Sequence, residues 1–169
     1  MRSQRGSGAL WATAFYAGLR RGEIRALRSS DLDLEAKRLR VERAWDDKEG
    51  VIAGKMFAAR RSVPVFAPLA RDLAAHKVRT GRRGEDLLFG ITAEQPFDPS
   101  TVRRHARAAW KRAGVEPIGL HEARHTAASF IIAAGFNLKE LSKTSSRLAK
   151  STEAMTRCAA ARRSRRAAT

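Results

Sequence analysis

"GLHEARHTAASF", residues 119–130, is the stretch whose reading decides the fold and the chemistry of this chain. Two patterns overlap in it. His121-Glu122-x-x-His125 sets two imidazoles four residues apart on one helix face with a carboxylate beside them, the spacing of a helical zinc site. His121-x-x-Arg124 sets an imidazole and a guanidinium one turn apart, a pair suited to gripping a phosphate. A zinc site needs a third protein ligand. The Gly and His that would continue a metzincin are missing from "TAASFII", and the carboxylates further on are Glu140 and Glu153. Of these, Glu140 stands three residues after Asn137 in a capping-box-like helix start. Arg124 would also place a cation beside the metal. A zinc protease of the His-Glu-x-x-His type is therefore the remote reading, and neither a metal nor any other cofactor is expected.

The composition points the same way. The chain has 169 residues, suited to one domain with a real core. Lys and Arg total 34 against 17 acidic residues, a formal charge of +17 that repels itself unless a polyanion neutralises it. Nucleic acid is the first partner class to test. The single cysteine, Cys158, excludes an internal disulfide and fits a reducing compartment. No run approaches the roughly 18 apolar residues of a membrane helix. Arg2 and Arg5 before "ALWATAFYAGL" imitate a secretory signal, but that run passes straight into "RRGEIRAL", which continues a helical pattern. A buried first helix and a bacterial cytoplasmic, nucleoid-associated setting are expected.

Residues 8–17 read as a helix that Gly18 ends, and "GEIRALRSSDLDL" restarts helically with Glu23 in a first turn, where a carboxylate favours the dipole. The period then shortens. "LDL", "RLRVERAW", "VIAGK" and "RRSVPVF" predict a small antiparallel sheet over residues 32–66, with Pro64 at an edge or strand end. Helices resume at "APLARDLAAHKVR", between Pro68 and Gly81, and at "DPSTVRRHARAAWKRAG", where Asp98 is the N-cap, Pro99 the first helical residue and Gly114 lies past the end. The quoted stretch opens a helix from about His121 to Ala134. No internal repeat is present. Residues 144–169 carry few large apolar groups and read as a loosely packed helix or basic tail. The fold class is α+β, mostly helical, with one small sheet.

Three segments, in order, add a resemblance: "AGLRRGEIRAL" at 17–27, "AGKMFAARRSVPVF" at 53–66 and "LHEARHTAAS" at 120–129. Together they resemble the tyrosine recombinase (phage integrase) family. The resemblance implies a catalytic-domain fold with a small antiparallel three-stranded sheet across residues 1–143, without the family's N-terminal core-binding domain, and a divergent basic tail over 144–169. It implies site-specific recombination and DNA integration by transesterification, in which a tyrosine hydroxyl attacks a phosphodiester, forms a 3′-phosphotyrosyl link and frees a 5′-hydroxyl without metal or nucleotide. Arg20 and Arg124 match the guanidiniums that clamp the non-bridging oxygens as charge develops on them. Lys55 matches the hairpin lysine that protonates the departing 5′-oxygen, and His121 the histidine that hydrogen-bonds the phosphate. Glu23 and His125 match supporting positions. DNA is the implied partner, with a homo-oligomer assembled on it.

The resemblance breaks near the end. A Leu-Gly-His turn and, nine residues on, a nucleophilic tyrosine should follow "NLKELSK", and neither is there. The one tyrosine, Tyr16, lies in the apolar first helix, and Cys158 is given no role. No nucleophile is therefore assigned, and a frameshift near residue 144 would explain the change of character. The expectation is a recombinase-like, DNA-binding domain impaired in catalysis unless another subunit lends a tyrosine. The alternative is a basic nucleic-acid-binding module without catalysis, gripping mainly through its Arg-rich tail.

Overall fold

The first apolar run forms α1 (Ser7–Ala17) in the computed structural model, which describes residues 7–53 and 60–133. Leu10, Trp11, Ala12 and Ala14 are all buried, so α1 is an internal helix and has no broad polar face. The buried hydroxyl of Thr13 donates from Oγ1 back to the Ala9 carbonyl at 2.8 Å. Gly18, at φ +60°, turns the chain out of α1 in a left-handed conformation that glycine adopts without strain. The wholly buried Leu19 pins this corner, and α2 (Arg21–Ala26) begins directly after it.

A 3-10 turn at Ser29–Asp31 leads, among the described residues, to five short strands: β1 (Leu32–Asp33), β2 (Arg38–Val41), β3 (Arg43–Asp46), β4 (Gly50–Ala53) and β5 (Arg61–Pro64). They make two sheets. One is three-stranded and antiparallel, in the order β1-β2-β5, with Leu39 opposite Leu32 on one side and Val63 on the other. Leu39 and Val41 of β2 point to the core while Arg38 and Arg40 face outward, the period-two pattern of a half-buried strand. Pro64 ends the edge strand β5 and withholds no ladder donor the sheet needs. The other sheet is the hairpin β3–β4, registered from Arg43↔Ala53 to Asp46↔Gly50.

The sheet expected over 32–66 is thus split. Only Glu42 separates β2 from β3, and there the chain leaves the first sheet to lie against α2. Gly22 permits it: a Cβ there would stand 3.0 Å from the Trp45 carbonyl oxygen.

Leu69, Leu73 and His76 of α3 (Ala67–Thr80) are buried, and Leu19, Ile24, Leu39 and Leu88 complete the centre of the core. Gly81, at φ +67°, closes α3. Asp98 accepts from the Ser100 and Thr101 backbone N–H groups and so caps α4 (Pro99–Arg112), as its position before Pro99 predicts. The last described element, α5 (Leu120–Ala133), begins one residue before the expected His121, because the Glu122 carboxylate caps it through the Gly119 N–H.

The chain divides into a unit Met1–Ala127 and a second from Ala128 to Thr169, and the residues discussed below belong to the first. Lys55, Cys158 and the tail over 144–169 lie outside the described residues. Among those described, no helix is long and apolar enough to cross a membrane.

Candidate functional site

Glu23 is the anchor. It stands at the third position of α2, where its Oε2 accepts the Arg20 backbone N–H at 2.7 Å, a helix-start bond that fixes the side chain beneath the corner. Arg61, the first residue of β5, then grips both oxygens: Nη1 to Oε1 at 2.8 Å and Nη2 to Oε2 at 2.7 Å. Arg20 Nη1 adds a longer contact to Oε1 at 3.2 Å. Burial pushes the Glu23 carboxyl up, but the bonds from Arg61 and the Arg20 amide outweigh it, so its pKa lies below the ordinary value and the group is charged. Arg61 is the site residue that the sequence does not announce. Its one signal is the register that sets it opposite Val41 at the head of an edge strand.

Arg124 arrives from α5, a hundred residues away in sequence, and its Nη1 donates to the main-chain carbonyl of Gly18. The approach is close, since a Cβ on Gly18 would stand 3.3 Å from the Ala127 Cβ. Burial, then the like charges of Arg20 and Arg61, lower the Arg124 pKa, with Glu23 partly restoring it. Three guanidiniums therefore act on one carboxylate, which leaves the cluster strongly positive. Arg20, with two thirds of its side chain exposed, carries that charge to the surface.

Arg20, His121 and Arg124 line one groove of about 1400 Å³. His121 and His125 meet with Nε2 atoms 3.0 Å apart and rings at 89°, a contact in which one nitrogen donates and the other accepts. Glu122, the would-be base of a zinc protease, is engaged at the helix start. Among the described residues no three His, Cys, Asp or Glu side chains gather as a metal site. Tyr16, at the half-exposed edge of α1, is not part of the groove lining.

The structure thus brings Arg20, His121 and Arg124 onto one groove, with Glu23 beneath Arg20 and His125 beside His121. The phage integrase family matches residues 7–151. The chain belongs to that family. Over 161 residues it is 30% identical to the prophage integrase IntR of Escherichia coli (strain K12), an alignment covering 81% of this chain and 39% of that protein. It is also 30% identical over 161 residues to a XerC-like tyrosine recombinase of Caldanaerobacter subterraneus subsp. tengcongensis, covering 80% and 41%. The chain spans about two fifths of the length of these relatives.

Among solved structures, XerA recombinase superposes with a TM-score of 0.63 at 23% identity, over 91% of this chain and 52% of that one. The Tn1549 transposon integrase in complex with transposon right end DNA superposes with a TM-score of 0.66 at 20% identity, over 87% and 53%. The fold of this integrase-family chain is the catalytic-domain fold of tyrosine recombinases.

Proposed function

We propose that this chain is a site-specific recombinase-like domain whose groove holds a DNA phosphodiester, and that it cannot make the covalent bond from its own residues. The observation carrying this reading is that Arg20, His121 and Arg124, from two distant segments, line a single groove in which arginines outnumber carboxylates. In this reading Arg20 and Arg124 each donate to a non-bridging oxygen and strengthen their hold as negative charge accumulates in the transition state. Arg124 is preset by the Gly18 carbonyl, and Arg20 by Glu23. His121 gives a phosphate oxygen the hydrogen bond it otherwise shares with His125, which acts as its positioning partner. Lys55 is assigned the proton for the departing 5′-oxygen on the strength of its motif alone. Tyr16 stands off the groove, so no nucleophile is assigned within these 169 residues. The DNA-bound Tn1549 integrase supports DNA as partner, and assembly of several copies on DNA is part of the proposal.

Binding to a labelled duplex tests the reading, with a nicked suicide substrate beside it. Arg20→Ala and Arg124→Ala should each weaken binding about tenfold, the order of a lost charge-assisted phosphate contact, and no denaturant-resistant adduct should form. An adduct would refute the missing nucleophile. Unchanged affinity in both variants, with binding abolished by deleting residues 157–169, would instead make the chain a basic module gripping through its tail.

A further inference from the structure

The groove continues beyond Arg20 along the side of α2 that meets the β3–β4 hairpin, where Arg21, Arg25, Trp45 and Asp47 also line it. Arg21 and Arg25 are four residues apart and share that face. Arg25 is only 8% exposed, and its guanidinium stands 5.9 Å from the Trp45 ring centroid, a contact that restrains its plane. Its Nη1 donates to Asp47 Oδ1, while Arg21 Nη2 lies 3.8 Å from Asp47 Oδ2. Asp47 itself keeps 64% of its side chain exposed. A carboxylate at the rim, reached by two cations, sits where an oxyanion from outside would sit.

We propose that Arg21 and Arg25 form a second subsite, for another backbone phosphate of the DNA, and that Asp47 is its resident counter-ion, displaced when the duplex enters. The proposal rests on the DNA-binding reading of the groove. Asp47 is free to leave because the hairpin does not depend on it. Asp46, not Asp47, holds the turn, accepting from the Lys48 and Glu49 backbone N–H groups at 2.8 and 3.2 Å, and Gly50 at φ +74° completes it. The hairpin is seated on α2 by the close approach at Gly22. An exposed carboxylate returns to water at little cost. Arg25, already desolvated and restrained over Trp45, loses little freedom when a phosphate oxygen replaces Asp47.

The test uses the full chain and a labelled duplex titrated across a salt series. Asp47→Asn should tighten binding about fivefold and leave the slope of log K against log salt unchanged, because one phosphate occupies the subsite in either protein. Glu49→Gln removes the same charge from the same turn outside the groove lining, and should change affinity less than about twofold with no change of slope. Arg21→Ala, or the volume-conserving Arg25→Met, should cancel the gain when combined with Asp47→Asn. The proposal is overturned if Glu49→Gln matches Asp47→Asn, if the gain survives both arginine changes, or if Asp47→Asn unfolds the chain by circular dichroism. Arg20→Ala and Arg124→Ala, run alongside, report on the first phosphate site independently, so either reading can fail alone.

Discussion

Glu23 carries more of the site than any other single residue, because two arginines from different elements converge on it. Removing its carboxylate leaves the Arg61 fork without its partner in a pocket where that side chain is 22% exposed. Glu23→Ala should therefore cost about 2 kcal/mol of folding stability in denaturant titration, short of the roughly 3–5 of a fully buried broken pair, and should also weaken DNA binding by freeing Arg20. Glu23→Gln, which keeps an oxygen for the Arg20 amide, should recover part of the stability. At this scale Arg20, Glu23 and Arg124 were legible because order and spacing picked them from the background. Arg61 was not: in a chain this rich in arginine, one more at a strand start looks like surface charge, and only the bidentate geometry distinguishes it.

The helices were legible as elements because their punctuation is physical. Asp98 with Pro99, and Gly81 at a left-handed stop, act through the backbone and need no tertiary context. The sheet was less so. Short alternating runs predict strands but not partners, and the one-residue joint at Glu42 divides them between two sheets for a reason that lies in α2, at Gly22. The docking of α3 offers a pH test. His76 Nε2 contacts the Leu88 carbonyl at 2.7 Å and Nδ1 meets Arg79 Nη2 at 2.8 Å, which suits a neutral ring donating to Leu88 and accepting from Arg79. Burial lowers its pKa, the Leu88 bond opposes, and Arg79 and Arg82 lower it further. Below the unfolded value of about 6.5 the unfolded chain thus binds more protons than the folded one. Stability present at pH 7.5 should decline as pH falls through 6.5 toward the folded pKa, and His76→Gln should flatten that decline in thermal melts.

For the whole molecule the governing quantity is charge. With a formal +17, association with DNA should be fast and strongly salt-dependent, each neutralised phosphate contributing about 0.9 to the slope. Anisotropy titrations across a salt series check this, and a flat response would remove nucleic acid as the partner. The same charge makes the free molecule self-repelling, so sulfate, as an added polyvalent anion, should raise its melting temperature more than chloride at equal ionic strength. The basic character of the chain was plain from composition. What composition could not show is that the excess is organised, with carboxylates at Glu23 and Asp47 placed to orient particular arginines.

Arg124 is moored to a main-chain oxygen. Every amino acid supplies that atom, so drift in side-chain identity around the bend cannot erase the mooring while the left-handed geometry at Gly18 persists. Gly18→Ala should therefore be more damaging than its size suggests: it strains the bend, presses on Ala127 and tilts the berth of a guanidinium that lies far off in the chain.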